Sequence, residues 1–178
     1  IAMHDAAVPP NVSSRKKYRG KGAALRAGFA RALEHGLEKV FVIDADGQHD
    51  VRDISNFLAL NGRYDILIGE RQDILRHMPL QRRLTNKTVN LVVSLLSGVR
   101  TTDVQCGLRY LDLKMFDTIA LRTNRYEMES EMVIKAARRR RRVGFVPIRT
   151  IYANERSYVN PLIDTIRFMN MAVRSLWR

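Results

Sequence analysis

The chain has 178 residues, enough to bury one substantial core, and its 46% apolar and 28% charged content is that of an ordinary globular protein. It holds 31 Lys and Arg against 18 Asp and Glu, a net charge of +13, which points to an anionic partner or else to a basic surface kept for solubility. The single cysteine, Cys106, excludes an internal disulfide, and no apolar run approaches the ~20 residues of a membrane span.

Residues 1–19 predict an irregular arm: Pro9-Pro10, Ser13-Ser14 and the basic run Arg15–Lys17 break any periodicity, and no signal-peptide form is present. Position 1 is Ile, which suggests a fragment. Gly20-Lys21-Gly22 opens a helix whose apolar or small residues Leu25, Gly28, Phe29, Ala32 and Leu33 step by three and four, with Gly36 as its stop. Lys39–Ile43 is a short apolar strand. Asp53–Leu60 reads as a helix, Asn61-Gly62 as a turn, and Tyr64–Gly69 as a second strand. Arg71–Pro79 is polar and reads as a loop. Leu80–Leu96 is helical, with Gly98 after it. Leu108–Leu111 predicts a strand, Met115–Ala120 a short helix, Met128–Arg140 a longer one and Val143–Pro147 a strand. Pro161 suits the first turn of a last helix running to about Leu176. Strands alternating with helices predict an α/β sandwich.

The chemistry centres on KVFVIDADGQHD. A buried strand that ends in Asp44 and Asp46 at a glycine turn can hold a hard cation, Mg²⁺ or Mn²⁺, with Gln48 adding a neutral oxygen. Such a metal can bridge to a diphosphate leaving group. The competing reading is an acidic turn that caps the next helix. Lys21 can bring an ammonium to a phosphate at a helix start, although the P-loop pattern is not met. Arg71 ends the second strand, at the same sheet edge as the acidic pair if the strands are parallel, where it can grip a phosphate; otherwise it is an exposed arginine. In TTDVQCGLRY, Asp103, Gln105 and Arg109 are candidate substrate contacts. In YEMESE, Glu127 and Glu131 stand one helical turn apart with Glu129 on another side, and one of the three can serve as a base or can simply favour a helix start. Arg138–Arg142 is a solvated helix end or a contact for anionic lipid. Pro161–Arg178 is amphipathic with basic edges.

Taken in order, these pieces resemble the family 2 inverting glycosyltransferases of GT-A fold, in the branch of dolichyl-phosphate mannose synthase and bacterial polyprenyl-phosphate sugar transferases. The resemblance runs from Gly20 to about Phe168 and rests on GKGAALRAGFARAL, VIDADGQHD, YDILIGER, RRLTNKTVNLVVSLLSG, TDVQCGLR, YEMESEMVIKAARR, VPIRTIY and ERSYVNPLIDTIRF. It implies a three-layer α/β sandwich with a mostly parallel sheet. It implies transfer of a sugar from a nucleotide-diphosphate donor to a polyprenyl phosphate, assisted by Mg²⁺ or Mn²⁺. Asp44, Asp46 and Gln48 match the positions that hold metal and diphosphate. Arg71 matches an arginine facing the phosphates. Arg82 or Arg83 falls where the acceptor phosphate is met. Asp103 and Arg109 fall in one further motif, Glu129 and Glu131 in its acidic helix, and Arg156 with Ser157 in a late basic-Ser motif. If the acceptor phosphate is already ionised, no strong base is required.

The chain departs from the pattern at its start. A strand ending in Pro-Ala-Tyr-Asn-Glu and another ending in Asp-Asp-Gly-Ser are missing, Tyr18 replaces the usual Asn, Leu108 replaces a Phe, and Arg140 or Arg141 replaces a Gly. The expectation is an arm at 1–19 followed by a partial GT-A domain at 20–178, N-terminally truncated, at the cytoplasmic face of a membrane. The alternative is a catalytically inactive fragment that persists as a basic membrane-surface or partner-binding module. Nucleic acid is not an expected partner, because aromatics make up only 7% and do not interleave with the basic residues.

Overall fold

The computed structural model describes residues 20–72, 80–151 and 161–176. The predicted arm, most of the predicted loop before Leu80, and Arg156 with Ser157 lie outside them. The elements are α1 (Lys21–Glu34), β1 (Lys39–Val42), α2 (Ile54–Leu58), β2 (Ile66–Arg71), α3 (Leu80–Ser97), β3 (Arg109–Asp112), α4 (Glu127–Arg138), β4 (Val143–Ile148) and α5 (Pro161–Leu176).

The sheet order is β1-β3-β2-β4. β1, β2 and β4 run in one direction and β3 runs against them, pairing antiparallel with both β1 and β2, while β2 and β4 pair in parallel. Register puts Phe41 beside Tyr110 and Val42 beside Arg109. Successive residues of a strand face opposite ways, so Tyr110 and Arg109 mark the two faces. On the first, Phe41 stacks on Tyr110 with ring centroids 4.5 Å apart and meets Phe57 of α2 edge-on at 5.9 Å. On the second, Arg109 reaches Glu129 of α4. The sheet is thus the middle of three layers. In β2, Ile66, Leu67 and Ile68 are buried on both faces, which is why this strand reads as a continuous apolar run rather than an alternating one.

Several boundaries differ from expectation. The helix predicted from Asp53 is a 3-10 turn, Val51–Asp53, followed by the short α2. Its start is set by Asp50, whose side chain accepts the Arg52 N–H at 2.9 Å. The helix predicted at Met115–Ala120 is a 3-10 turn over Leu113–Asp117, with Asp112 capping Lys114 N–H at 2.9 Å. β2 extends two residues further than expected, so Arg71 is a strand residue. α4 stops at Arg138, and Arg140 adopts φ 58°.

Candidate active site

Because β1, β2 and β4 share a direction, their C-terminal ends meet at one edge of the sheet, and the reversed β3 begins there. The acidic turn after β1, Arg71 at the end of β2, and the loop 103–107 before β3 all arrive at that edge. In open α/β sheets this is where ligands bind.

Lys21 is drawn in from the first turn of α1. Its Nζ lies 2.7 Å from Asp44 Oδ2 and 2.9 Å from Glu129 Oε1, and the same Glu129 oxygen is 3.4 Å from Arg109 Nη2. Burial pushes the Lys21 ammonium down, but the Glu129 and Asp44 carboxylates outweigh it and hold its pKa above the ordinary lysine value. The close approach of α1 depends on Gly22. A Cβ there would stand 2.8 Å from the Asn124 carbonyl carbon and 2.9 Å from Met128 Cβ. Ala23 N–H donates to the Asn124 carbonyl at 3.0 Å. The glycines therefore serve helix packing against residues 124–128, and the Ala23 N–H is taken up in that contact.

The acidic turn is pinned from two sides. Asp46 Oδ1 accepts the Gln48 N–H at 3.1 Å, and the Gln48 carbonyl accepts Ile151 N–H at 3.0 Å. His49 bridges Thr150 in antiparallel fashion. Burial pushes the His49 pKa down against the opposing pull of Asp46 and Asp44. Asp53 accepts Arg149 N–H at 2.9 Å and Arg149 Nη2 at 3.0 Å. The chain that leaves β4 is thereby fastened to the turn that follows β1. An open hollow of about 300 Å³ lies at the ends of β2 and β4, lined in part by Asp53, Gln72 and Arg149; Asp44 and Asp46 are not in its wall.

The three carboxylates expected to be catalytic are each committed to protein partners. Asp103 takes Arg71 through Nε at 2.6 Å and Nη2 at 2.8 Å, a two-bond clamp that is almost wholly buried. The loop that carries Asp103 is itself held by α3: Asn90 Nδ2 donates to the Thr102 carbonyl at 2.7 Å, and its Oδ1 accepts Val104 N–H at 2.9 Å. Glu129 is occupied by Lys21 and Arg109. Glu131 accepts the N–H groups of Arg122 and Thr123, the Thr123 hydroxyl and Lys135 Nζ, so it fastens the 122–123 loop and does not join the Lys21–Asp44 cluster. Burial alone would raise its pKa, and these donors bring it below the ordinary value.

Arg109 also departs from expectation. Its side chain is 1% exposed, and its guanidinium donates to the carbonyls of Cys106, Val104 and Glu129. A cation so enclosed braces the framework in place of the expected phosphate contact. Cys106 is buried, and burial pushes its thiol up to about 12, so it stays protonated at neutral pH. Arg83 is half-buried on α3. Arg82 also lies in α3, with its side chain outside the described atoms.

Sequence reasoning missed the role of Gly107. A Cβ at this position would sit 2.1 Å from Asp44 Oδ2. Only a glycine lets the acidic turn and the 103–107 loop pack this closely. The residue was visible in TDVQCGLR, but its neighbour, Asp44, is supplied by the fold. The arginine run is likewise re-read. Arg138 donates to the carbonyls of Leu96 and Ser175, at the ends of α3 and α5, and Arg141 and Arg142 pair with Asp65. Three of its five arginines thus fasten helix and strand ends.

Among the described residues no three or more His, Cys, Asp or Glu side chains cluster to hold a metal, and no helix is long and apolar enough to cross a membrane. No family model matches the chain. Among curated proteins it is similar to UDP-N-acetylglucosamine–dolichyl-phosphate N-acetylglucosaminyltransferase of Methanococcus voltae, 33% identical over 75% of this chain and 56% of that protein. It is also similar to undecaprenyl-phosphate mannosyltransferase of Micrococcus luteus, 28% identical over 78% of this chain and 59% of that protein. The chain spans little more than half the length of these relatives. Among solved structures, glucosyl-3-phosphoglycerate synthase of Mycobacterium tuberculosis bound to UDP superposes with a TM-score of 0.64 at 13% identity, over 89% of this chain and 55% of that one. The same neighbour has been solved with Mn²⁺, UDP and phosphoglyceric acid, at a TM-score of 0.58. By sequence the chain is similar to the polyprenyl-phosphate sugar transferases named above, and by fold it resembles a solved glycosyltransferase.

Proposed function

We propose that the protein to which this chain belongs transfers a sugar, with inversion, from a nucleotide diphosphate to a polyprenyl phosphate at a membrane surface. The observation that carries the reading is the state of the acids. Asp103, Glu129 and Glu131 are all buried and paired, so none stands ready as a general base. A hydroxyl acceptor would need one. A phosphate acceptor, already ionised at neutral pH, does not, and the relatives' names specify dolichyl and undecaprenyl phosphates.

Asp44 and Asp46 fit a divalent cation. Mg²⁺ and Mn²⁺ are commonly held by one or two carboxylates together with substrate phosphates, so two acids in one pinned turn suffice. Asp44 keeps part of its carboxylate open, with 31% of the side chain exposed, and Gln48 is a third oxygen donor in the same turn. When bound, such a cation neutralises the leaving diphosphate. The chain's own residues do the rest. Lys21 holds Asp44 in place and supplies a fixed positive charge beside the leaving group. Glu129 orients Lys21. Asp103 orients Arg71, whose remaining guanidinium N–H groups face the phosphates. Arg82 or Arg83 on α3 meets the acceptor phosphate, and Arg156 with Ser157 adds contacts to the donor. The rate then comes from positioning and charge neutralisation.

The test is calorimetric titration of the full chain with Mn²⁺ and UDP-N-acetylglucosamine or GDP-mannose. We expect binding that requires Mn²⁺ and is lost in Asp46→Asn. Equal binding by wild type and Asp46→Asn would overturn the metal assignment. Absence of any nucleotide binding would favour the inactive-module reading for this chain.

A further inference from the structure

The interior of α3 carries two side chains that favour caps and turns over helices, Asn90 and Ser94. They stand four residues apart, on one face of the helix. Both reach residues 101–104, a stretch with no helix or strand of its own. Thr101 N–H donates to Ser94 Oγ at 2.9 Å, and the Thr101 hydroxyl donates to the Asn90 carbonyl at 2.8 Å. The Asn90 side chain goes further. Its Nδ2 donates to the Thr102 carbonyl at 2.7 Å, and its Oδ1 accepts Val104 N–H at 2.9 Å. Those two groups belong to the peptide units on either side of Asp103. A peptide unit is planar, so holding both fixes φ and ψ at Asp103 and with them the direction in which its side chain leaves the backbone.

Asp103 in turn accepts from Arg71 at three points, the backbone N–H at 3.3 Å, Nε at 2.6 Å and Nη2 at 2.8 Å. With Nε and Nη2 taken, Nη1 is the part of the fork that Asp103 leaves for an anion, and its direction follows that of the carboxylate. An aspartate on an unbraced loop would pair with Arg71 without holding it in one place. We propose that Asn90 is a positioning residue for the donor site: by bracketing Asp103 it sets the carboxylate that aims Arg71 at the diphosphate. The proposal rests on the reading of a nucleotide-diphosphate donor and adds the residue that fixes its arginine. It also accounts for an Asn kept in the middle of α3, where Ala or Leu would favour the helix.

The experiment has two readouts on the full chain. The first is the nuclear magnetic resonance signal of Arg71 Nε–H, assigned by its absence in Arg71→Lys. In Asn90→Ala this proton is expected to exchange with water about tenfold faster or more, while the amides of β1 and β4 exchange as in wild type. The second is calorimetric titration with Mn²⁺ and UDP-N-acetylglucosamine or GDP-mannose. Asn90→Ala and Arg71→Lys are each expected to bind about tenfold more weakly. The double variant is expected to stay within about twofold of Arg71→Lys alone, because both changes act through one guanidinium. Should Asn90→Ala fail to fold, Asn90→Asp takes its place in both measurements. It keeps an acceptor for Val104 N–H and removes the donor to the Thr102 carbonyl. Unchanged exchange of Arg71 Nε–H would overturn the proposal, and so would losses of affinity that add in the double variant. Faster Arg71 exchange in a protein that binds no nucleotide sugar supports the bracket and counts against the donor reading.

Discussion

Gly107 and Lys21 show how much of the site turns on single atoms. An added methyl at Gly107 cannot coexist with the Asp44 carboxylate, 2.1 Å away. Gly107→Ala is therefore expected to fold but to displace Asp44, lowering Mn²⁺-dependent nucleotide affinity by more than about tenfold in a calorimetric titration, by analogy with other displaced metal-site groups. Wild-type affinity in that variant would remove Asp44 from the site. Lys21 carries a pH signature. Its folded pKa lies above the ordinary 10.5, so its ion pairs stabilise the fold fully below that pH and the contribution is lost as pH rises through the folded value. Glu131 behaves in the opposite sense. Its folded pKa lies below 4.5, so its contribution is present above that value and is lost as pH falls through the folded one. Denaturant titrations across pH should show both losses. Lys21→Met is expected to flatten the alkaline limb and cost about 3 kcal/mol at neutral pH, since it strands Glu129 and Asp44 without their cation.

Secondary-structure elements differ sharply in what they contribute to stability. Ile68 of β2 is fully buried in a central strand, and Ile68→Ala is expected to cost about 2–5 kcal/mol in equilibrium unfolding. Leu91 is no smaller but is 60% exposed on α3, and Leu91→Ala should stay within about 0.5 kcal/mol of wild type. A large loss at Leu91 would mean that it is covered within the chain. The contrast was not available from periodicity. The spacing of Leu84, Val92, Leu95 and Leu96 gives a helix, but it does not say that Leu84 and Leu95 face outward while Val89 and Val93 face in. The amphipathic pattern has two apolar sides, and only the packing of α4 and α5 selects one.

Over the whole molecule, the net charge of +13 acts through its field and not through the fold. Arg138, Arg141 and Arg142 are internally paired, yet the sum is unchanged, so the affinity for a nucleotide diphosphate should fall steadily as ionic strength rises. Calorimetry at low and high salt checks this. A salt-independent affinity would place the diphosphate beyond the reach of the basic surface.

The amino-acid order determined most of the elements, the α/β class and the acidic turn at a strand end, because each of these is written in local spacing: apolar runs, three-and-four steps, Asp-x-Asp before a glycine; the glycosyltransferase resemblance rests on the order of its motifs. The tertiary structure alone decided the reversal of β3, the pairing of Asp103 with Arg71, the sharing of Lys21 between Asp44 and Glu129, the enclosure of Arg109 and the need for Gly107. Those facts concern partners far apart in the chain. A carboxylate is chemically the same whether it is free or clamped, and only the position of the opposing cation, fixed when sheet and helices pack, tells the two apart.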